Sequence, residues 1–350
     1  NIVMDREGLL AKRGIEAKWQ AFGSGPAINE VLVSNRFQVA NSGNFPFVSL
    51  LEKHIPVKSI ALVTPSLFFA TVVPADSKIN SLKDFKGSNP PATIGILTGS
   101  SAEFYLQMAA TVHGIEVGKD IILKNMPLGE QMALPKGIDA VVPWDPIIAV
   151  MLEERKNGKV IDVIYPYNLY GTNFIVLQEL IDNVPDVVQA LSDAYVESVL
   201  WTRLNLDATV KYLQEDPGLK NYSKEILTQQ TRLYNLLYKP TFAYQHAKFW
   251  GEAYEPIFDW LLKQKRLQRQ LTVTDFEKAV DASFMERTFG KLGWAVPKAP
   301  PFLPEGWTGS PGKMPYPDYM TPMNMKEPQP FPEKGDLVKP WSFGGKTFNP

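Results

Sequence analysis

At 350 residues, with 45% hydrophobic and 21% charged side chains, the chain is long enough for two separate cores and has an ordinary soluble, globular composition. A net charge of −1, with no Lys/Arg cluster interleaved with aromatics, argues against nucleic acid or an anionic membrane surface as partner, and no stretch reaches the roughly 18 uninterrupted apolar residues that span a bilayer. The absence of cysteine removes disulfides, thiolate metal sites and a cysteine nucleophile together, and is compatible with export to an oxidising compartment.

Residues 2–12 have a helical pattern, and Gly14 is placed to end that helix in a left-handed conformation. Residues 15–21 alternate around Trp19 and read as a strand. A turn over Phe22, Gly23, Ser24 and Gly25 leads into a helix through residue 35, with Pro26 where a missing N–H is harmless. Residues 38–41 form a short predicted strand, and Ser42, Gly43 and Asn44 turn it into a helix over 45–52. Residues 57–63 and 68–73 are strands by their β-branched and aromatic content, and 77–85 a short helix. Ile94, Ile96 and Leu97 run into Gly99, Ser100 and Ser101, where another helix starts at once. Strands follow at 121–124, 139–143, 160–164 and 173–177; Trp144, Asp145 and Pro146 introduce a helix over 147–156, and Tyr170, Gly171 and Thr172 precede the last strand. Beyond Pro185 come amphipathic helices at 185–205, 206–215, 224–237, 244–265 and 274–289. The alternation predicts an α/β protein with mostly parallel sheets, the later helices packed around it.

Residues 295–350 hold 13 of the 29 prolines, with Trp307, Tyr316, Tyr319 and Trp341. Such a composition predicts an extended tail. Its aromatics argue that it docks at least partly on the body, a partner-binding arm being the alternative.

One device occurs three times: a strand, a small-residue turn and a helix start, at Ser24, at Ser42 to Asn44, and at Ser100 and Ser101. The first N–H groups of a helix lack internal partners, and the helix dipole adds partial positive charge there. One such turn reads as a serine capping its own helix. Three together can hold a sulfonate, carboxylate or nitrate without a matching cation.

The order of these motifs resembles the periplasmic solute-binding proteins of the nitrate/sulfonate/taurine ABC transporter family, the NMT1-like group. The resemblance rests on Asn41-Ser42-Gly43-Asn44-Phe45-Pro46, on Val72-Val73-Pro74-Ala75-Asp76-Ser77, on Ser81 to Gly87, on Gly99-Ser100-Ser101-Ala102, on Gly137-Ile138-Asp139-Ala140 and on Trp144-Asp145-Pro146. It covers about residues 8–190. Asp145 stands where the family has Glu, the family's first strand is not found upstream of Asn1, and the Pro/Trp-rich tail has no family counterpart. The resemblance implies a two-lobed, type II periplasmic-binding-protein fold with a hinge and an interlobe cleft. Lobe I would comprise residues 1–70 and 170–294, lobe II residues 71–169, with 295–350 as a C-terminal extension. It also implies a small-molecule solute, a membrane permease as partner, and a periplasmic or exported, surface-anchored location. No signal peptide is visible, and the natural start is expected upstream. A monomer is expected.

Within that cleft the candidate ligand-binding residues are Ser24, Ser42, Gly43, Asn44, Ser100, Ser101, Trp144, Asp145, Tyr170 and Thr172. Trp144 reads equally as a binding wall or as core. Asp145 can pair with a ligand amino group or cap the next helix. Phe45, Phe68 and Phe69 are core by default, with one of them able to line the pocket. His54, His113 and His246 lie far apart without metal-ligand spacing, so neither metal nor cofactor is expected. A GxSxG elbow is absent. Some proteins of this fold are enzymes: a desulfinase and a thiamin-pyrimidine synthase that use cysteines, and menaquinone-pathway enzymes. No catalytic residue is assigned here, and an enzyme on this scaffold is the alternative to a binding protein.

Overall fold

The strands in chain order are β1 (Val39–Gly43), β2 (Val57–Thr64), β3 (Ala70–Pro74), β4 (Ala92–Ile96), β5 (Ile121–Asn125), β6 (Ala140–Val141), β7 (Gly158–Val163) and β8 (Thr172–Leu177), followed by a closing hairpin of β9 (Trp341–Phe343) and β10 (Lys346–Phe348). They belong to a computed structural model that describes residues 1–267, 269–304, 307, 309–317, 321, 325 and 327–350. One sheet has the order β1-β8-β2, and a second has the order β5-β4-β6-β3-β7.

In each sheet a single strand runs against the others. β8 is antiparallel to β1 and β2, and β3 is antiparallel to β6 and β7, while β4 is parallel to β5 and β6. The reversed strands are the two that arrive from the other sheet. The chain leaves β2 at Thr64 and enters the second sheet as β3; it leaves β7 at Val163 and returns as β8. A strand that begins at a crossing runs away from it. The carboxyl ends of β1, β4 and β6 therefore gather with the amino ends of β3 and β8. This corrects the expectation of mostly parallel sheets: four of these six ladders are antiparallel.

Residues 15–21 are not a strand. They run as coil with Trp19 exposed and no ladder beside them, and an alternating segment without a partner has nothing to pair with. The helix expected over 274–289 is two, Val273–Lys278 and Ser283–Leu292. The break docks on β2: Ser59 N–H donates to the Ala279 carbonyl (2.8 Å) and Asp281 N–H to the Ser59 carbonyl (2.9 Å), which covers an otherwise open sheet edge. Helix Pro185–Leu204 is fixed to β2 by Tyr195, whose hydroxyl donates to the Leu62 carbonyl at 2.9 Å. No described helix is long and apolar enough to cross a membrane.

The tail lies on the body. Phe302 is buried against Tyr238, Phe249 and Trp250, Trp341 packs on Trp294, and Lys239 pairs with Glu333 at 2.6 Å. Tyr319 falls outside the described residues.

At the end of β7, Asp162 Oδ1 accepts the Val163 N–H (2.8 Å), while the buried Oδ2 accepts no hydrogen bond and lies 4.0 Å from His113 Nε2. Burial pushes the Asp162 pKa from the ordinary 3.8 up to about 6. The folded chain thus holds this proton more tightly than the unfolded one. The resulting stabilisation is complete below pH 3.8 and is lost as pH rises through about 6. Asp162→Asn keeps the Val163 bond and removes the charge. Its Tm, read by calorimetry, should match the parent's near pH 4 and exceed it by a few degrees at pH 7.5. An equal offset at both pH values would show that the charge is not the cause.

Candidate functional site

Ser24, Ser42, Gly43, Ser100, Ser101, Trp144, Tyr170 and Thr172 line one cavity of about 180 Å³ where the two sheets meet. Three helices begin at its wall. Helix Gly25–Val33 starts after Ser24, whose Oγ accepts weakly from Ala27 N–H at 3.5 Å. Helix Asn44–Glu52 starts after Gly43 with no side-chain cap from that residue. Helix Ser101–His113 starts after Ser100, whose Oγ accepts from Glu103 N–H (3.4 Å) and donates to the Leu97 carbonyl (2.6 Å). Glu103 reaches back to accept the Gly99 N–H at 2.6 Å and meets Arg266 at 3.0 Å, so its charge is balanced.

Close approach makes glycine necessary at two positions. A Cβ on Gly43 would lie 2.7 Å from Tyr170 Oη and 3.2 Å from Ser101 Oγ; one on Gly25 would lie 2.3 Å from Pro46 Cγ. Gly43 has φ −67°, so what it supplies is space and not an unusual backbone.

The opposite wall is aromatic. The Phe69 ring lies 5.0 Å from Tyr170 and 5.5 Å from Trp144. Trp144 thus fulfils both readings, cavity wall and packing. Thr172 Oγ1 donates to Tyr170 Oη at 3.2 Å, and burial pushes the Tyr170 pKa up to about 12, so the phenol is neutral. None of the lining residues carries a charge. Two polar atoms of lining residues, Ser42 Oγ and Asn41 Oδ1, are buried without a hydrogen-bond partner in the protein. An unpaired buried polar atom is unfavourable, and a ligand that pairs it gains accordingly.

Asn44 and Asp145 depart from expectation, for neither lines the cavity. Asn44 is fully buried behind the wall: Oδ1 accepts from Phe45 N–H (2.9 Å) and Ser101 Oγ (2.7 Å), and Nδ2 donates to Asn168 Oδ1 (3.1 Å) and the Leu169 carbonyl (3.3 Å). Asp145 is turned to Tyr234, whose hydroxyl donates to Oδ2 at 2.8 Å. Burial raises the Asp145 pKa, against hydrogen bonds from Tyr234, Gln230 and the Ala149 N–H, so the carboxylate serves the following helix. Of the three candidate phenylalanines, Phe69 reaches the cavity while Phe45 and Phe68 do not.

Phe22, Ile28, Asn41, Pro46 and Leu67 also line the site and were not predicted. Asn41, Pro46 and Phe22 flank the predicted turns, a signal that was available; Leu67 lies on a crossing and carried none. Among the described residues no group of three or more His, Cys, Asp or Glu side chains is arranged to hold a metal.

The model of the family described as NMT1/THI5 like matches residues 2–205. The chain belongs to the NMT1/THI5-like family. That match spans every residue of the cavity wall. No curated protein matches the sequence. By structure the chain is similar to the periplasmic nitrate-binding protein NrtA of Synechocystis PCC 6803 (TM-score 0.69, 14% identity, 85% of this chain and 88% of that one). It is similar also to the alkanesulfonate-binding protein SsuA of Xanthomonas axonopodis pv. citri bound to MOPS (0.67, 18%, 80% and 93%) and to the aliphatic sulphonate-binding SsuA of Escherichia coli (0.64, 16%, 79% and 92%). At these identities the likeness establishes the fold, the two-lobed periplasmic-binding-protein architecture expected from sequence.

The Gly43 geometry is testable. Gly43→Ala drives a methyl group into Tyr170, and overpacking of this kind costs about 1–3 kcal/mol. Its Tm should fall by a few degrees, and Tyr170→Phe in the same chain should recover part of the loss. An unchanged Tm for Gly43→Ala would mean that the β1 turn yields freely.

Proposed function

We propose that this member of the NMT1/THI5-like family is the solute-binding component of an ABC importer. It clamps a small anionic solute (a sulfonate, carboxylate, nitrate-type or aromatic acid) between lobe I, residues 1–70 with 170–294, and lobe II, residues 71–169. It acts in the periplasm or anchored at the cell surface, as a monomer, and hands the solute to a membrane permease without a covalent step, cofactor or nucleic acid.

One observation carries this reading: the uncharged cavity into which three helices begin, at the place where both crossings meet. N–H groups and aligned dipoles there suit an anion, and removing water from the closed cleft strengthens each bond. The aromatic wall of Phe69, Trp144 and Tyr170 suits an apolar body behind the acid group. Asn41 Oδ1, an acceptor with no partner, suits a solute that also offers an O–H or N–H. The same lining offers no histidine, carboxylate or lysine to move a proton, which favours binding over catalysis. The nitrate- and sulfonate-binding proteins of similar fold support the class of solute.

The test is a thermal-shift screen of the whole protein with alkyl and aryl sulfonates, carboxylates, nitrate and taurine. A solute at about 100 times its Kd adds about 2.7 kcal/mol, a shift of a few degrees. Ser42→Ala then separates binding from folding. No protein group depends on Ser42 Oγ, so the solute-free Tm should stay about level. The Kd should rise by about one order of magnitude or more, the worth of a hydrogen bond to a charged group. Solute affinity unaffected by Ser42→Ala would remove Ser42 from the site. Chemical turnover of a hit would replace the transport reading with an enzyme.

A further inference from the structure

None of the described residues of the proline- and tryptophan-rich tail lines the cavity, yet the tail reaches the hinge at Tyr316. Before residue 316 it is held to helix Ala247–Lys263, where Ser310 Oγ donates to Glu252 at 2.8 Å. After it, the Gln329 N–H donates to the Leu237 carbonyl (2.7 Å) and the Gln329 carbonyl accepts from Arg203 (2.7 Å). Between these anchors Tyr316 is buried, at 5% exposure, and makes three hydrogen bonds. Its N–H donates to the Pro166 carbonyl (3.0 Å), its carbonyl accepts from Tyr165 Oη (3.2 Å), and its own hydroxyl donates to the Ala253 carbonyl (3.3 Å).

Tyr165 and Pro166 lie on the return crossing between β7 and β8, whereas Ala253 belongs to the first-lobe helix. Tyr316 thus ties the crossing to the first lobe. The next residue of the crossing is held from the other side: Tyr167 Oη lies 2.6 Å from His113 Nε2, at the end of helix Ser101–His113 of the second lobe. Adjacent residues of one crossing are gripped by different lobes, so parting the lobes strains one grip or the other.

We infer that the tail is a strap across the hinge, with Tyr316 as the positioning residue that limits how far the lobes open. Its purpose rests on the clamp reading, for a narrower opening retains solute longer and lowers the rate of exchange. Its test needs no solute.

The chain has no cysteine, so Lys53→Cys and Lys124→Cys, both exposed and one on each lobe, allow two spin labels to be placed without interference. Dipolar spectroscopy on the solute-free, full-length protein then reads the distance between lobes. Tyr316→Ala should shift the distribution to longer distances and broaden it. Tyr316→Phe, which keeps both backbone bonds and loses the bond to Ala253, should give a smaller shift in the same direction and guards against a variant that fails to fold. A parent-like distribution in both variants, with or without a lower Tm, would overturn the strap and leave the tail as packing alone. Failure of the solute screen leaves these distances meaningful, and unchanged distances leave the screen meaningful.

Discussion

The amide of Asn44 is the contact on which the cavity depends. A carboxamide offers two donors and two acceptor lone pairs, and this one uses them all. Its partners come from three places: the first turn of its own helix at Phe45, the start of the second lobe's helix at Ser101, and the return crossing at Asn168 and Leu169. No other side chain of that size could join them, since an aspartate has no donor and a leucine neither donor nor acceptor. Because the amide is wholly buried, water does not compete for these bonds, and the helix starts on the two lobes are held in register.

Charge is kept behind the wall. Glu103, in the first turn of its helix, suits the dipole there and fixes the Gly99 N–H, but a bare carboxylate so near would repel an anion in the cavity. Arg266 offsets it at 3.0 Å, its guanidinium lying over the rings of Phe45 and Trp260. The pair leaves the positive ends of three helices as the nearest electrostatic feature. The cavity itself thus holds no charged side chain.

The turns were legible because each has a local cause. Glycine at 43 and 25 is required by a few ångströms of space, proline at 26 and 46 falls where a helix lacks hydrogen bonds, and serine at 24 and 100 caps the helix it precedes. The proline and serine signals sit within five residues of the atoms they control, whereas the space that glycine supplies is claimed by residues distant in the chain, Tyr170 and Pro46. What sequence could not supply was direction and distance. Asn44 and Ser42 are two residues apart, yet one supports the wall and the other opens into the cavity. Arg266 meets a residue 163 positions earlier, and Tyr234 claims Asp145 across 89. Residues 15–21 show the converse error. Their alternation is real, but a strand is a property of two segments, and only one was being read. The parallel-sheet expectation failed for a similar reason, because periodicity identifies strands without saying which of them enter from a crossing.

Those crossings build the cavity wall. Phe69 belongs to the outward crossing and Tyr170 to the return, and the two rings pack on each other at 5.0 Å in the cavity wall. A change in the angle between the lobes therefore alters the surface that these two rings present to the cavity. The carboxyl ends of β1 and β4 lead into two of the helix starts at the cavity, and that of β6 leads to Trp144 of the wall. The contacts at Tyr165 and Pro166 lie just before Tyr170 in the chain and outside the cavity lining.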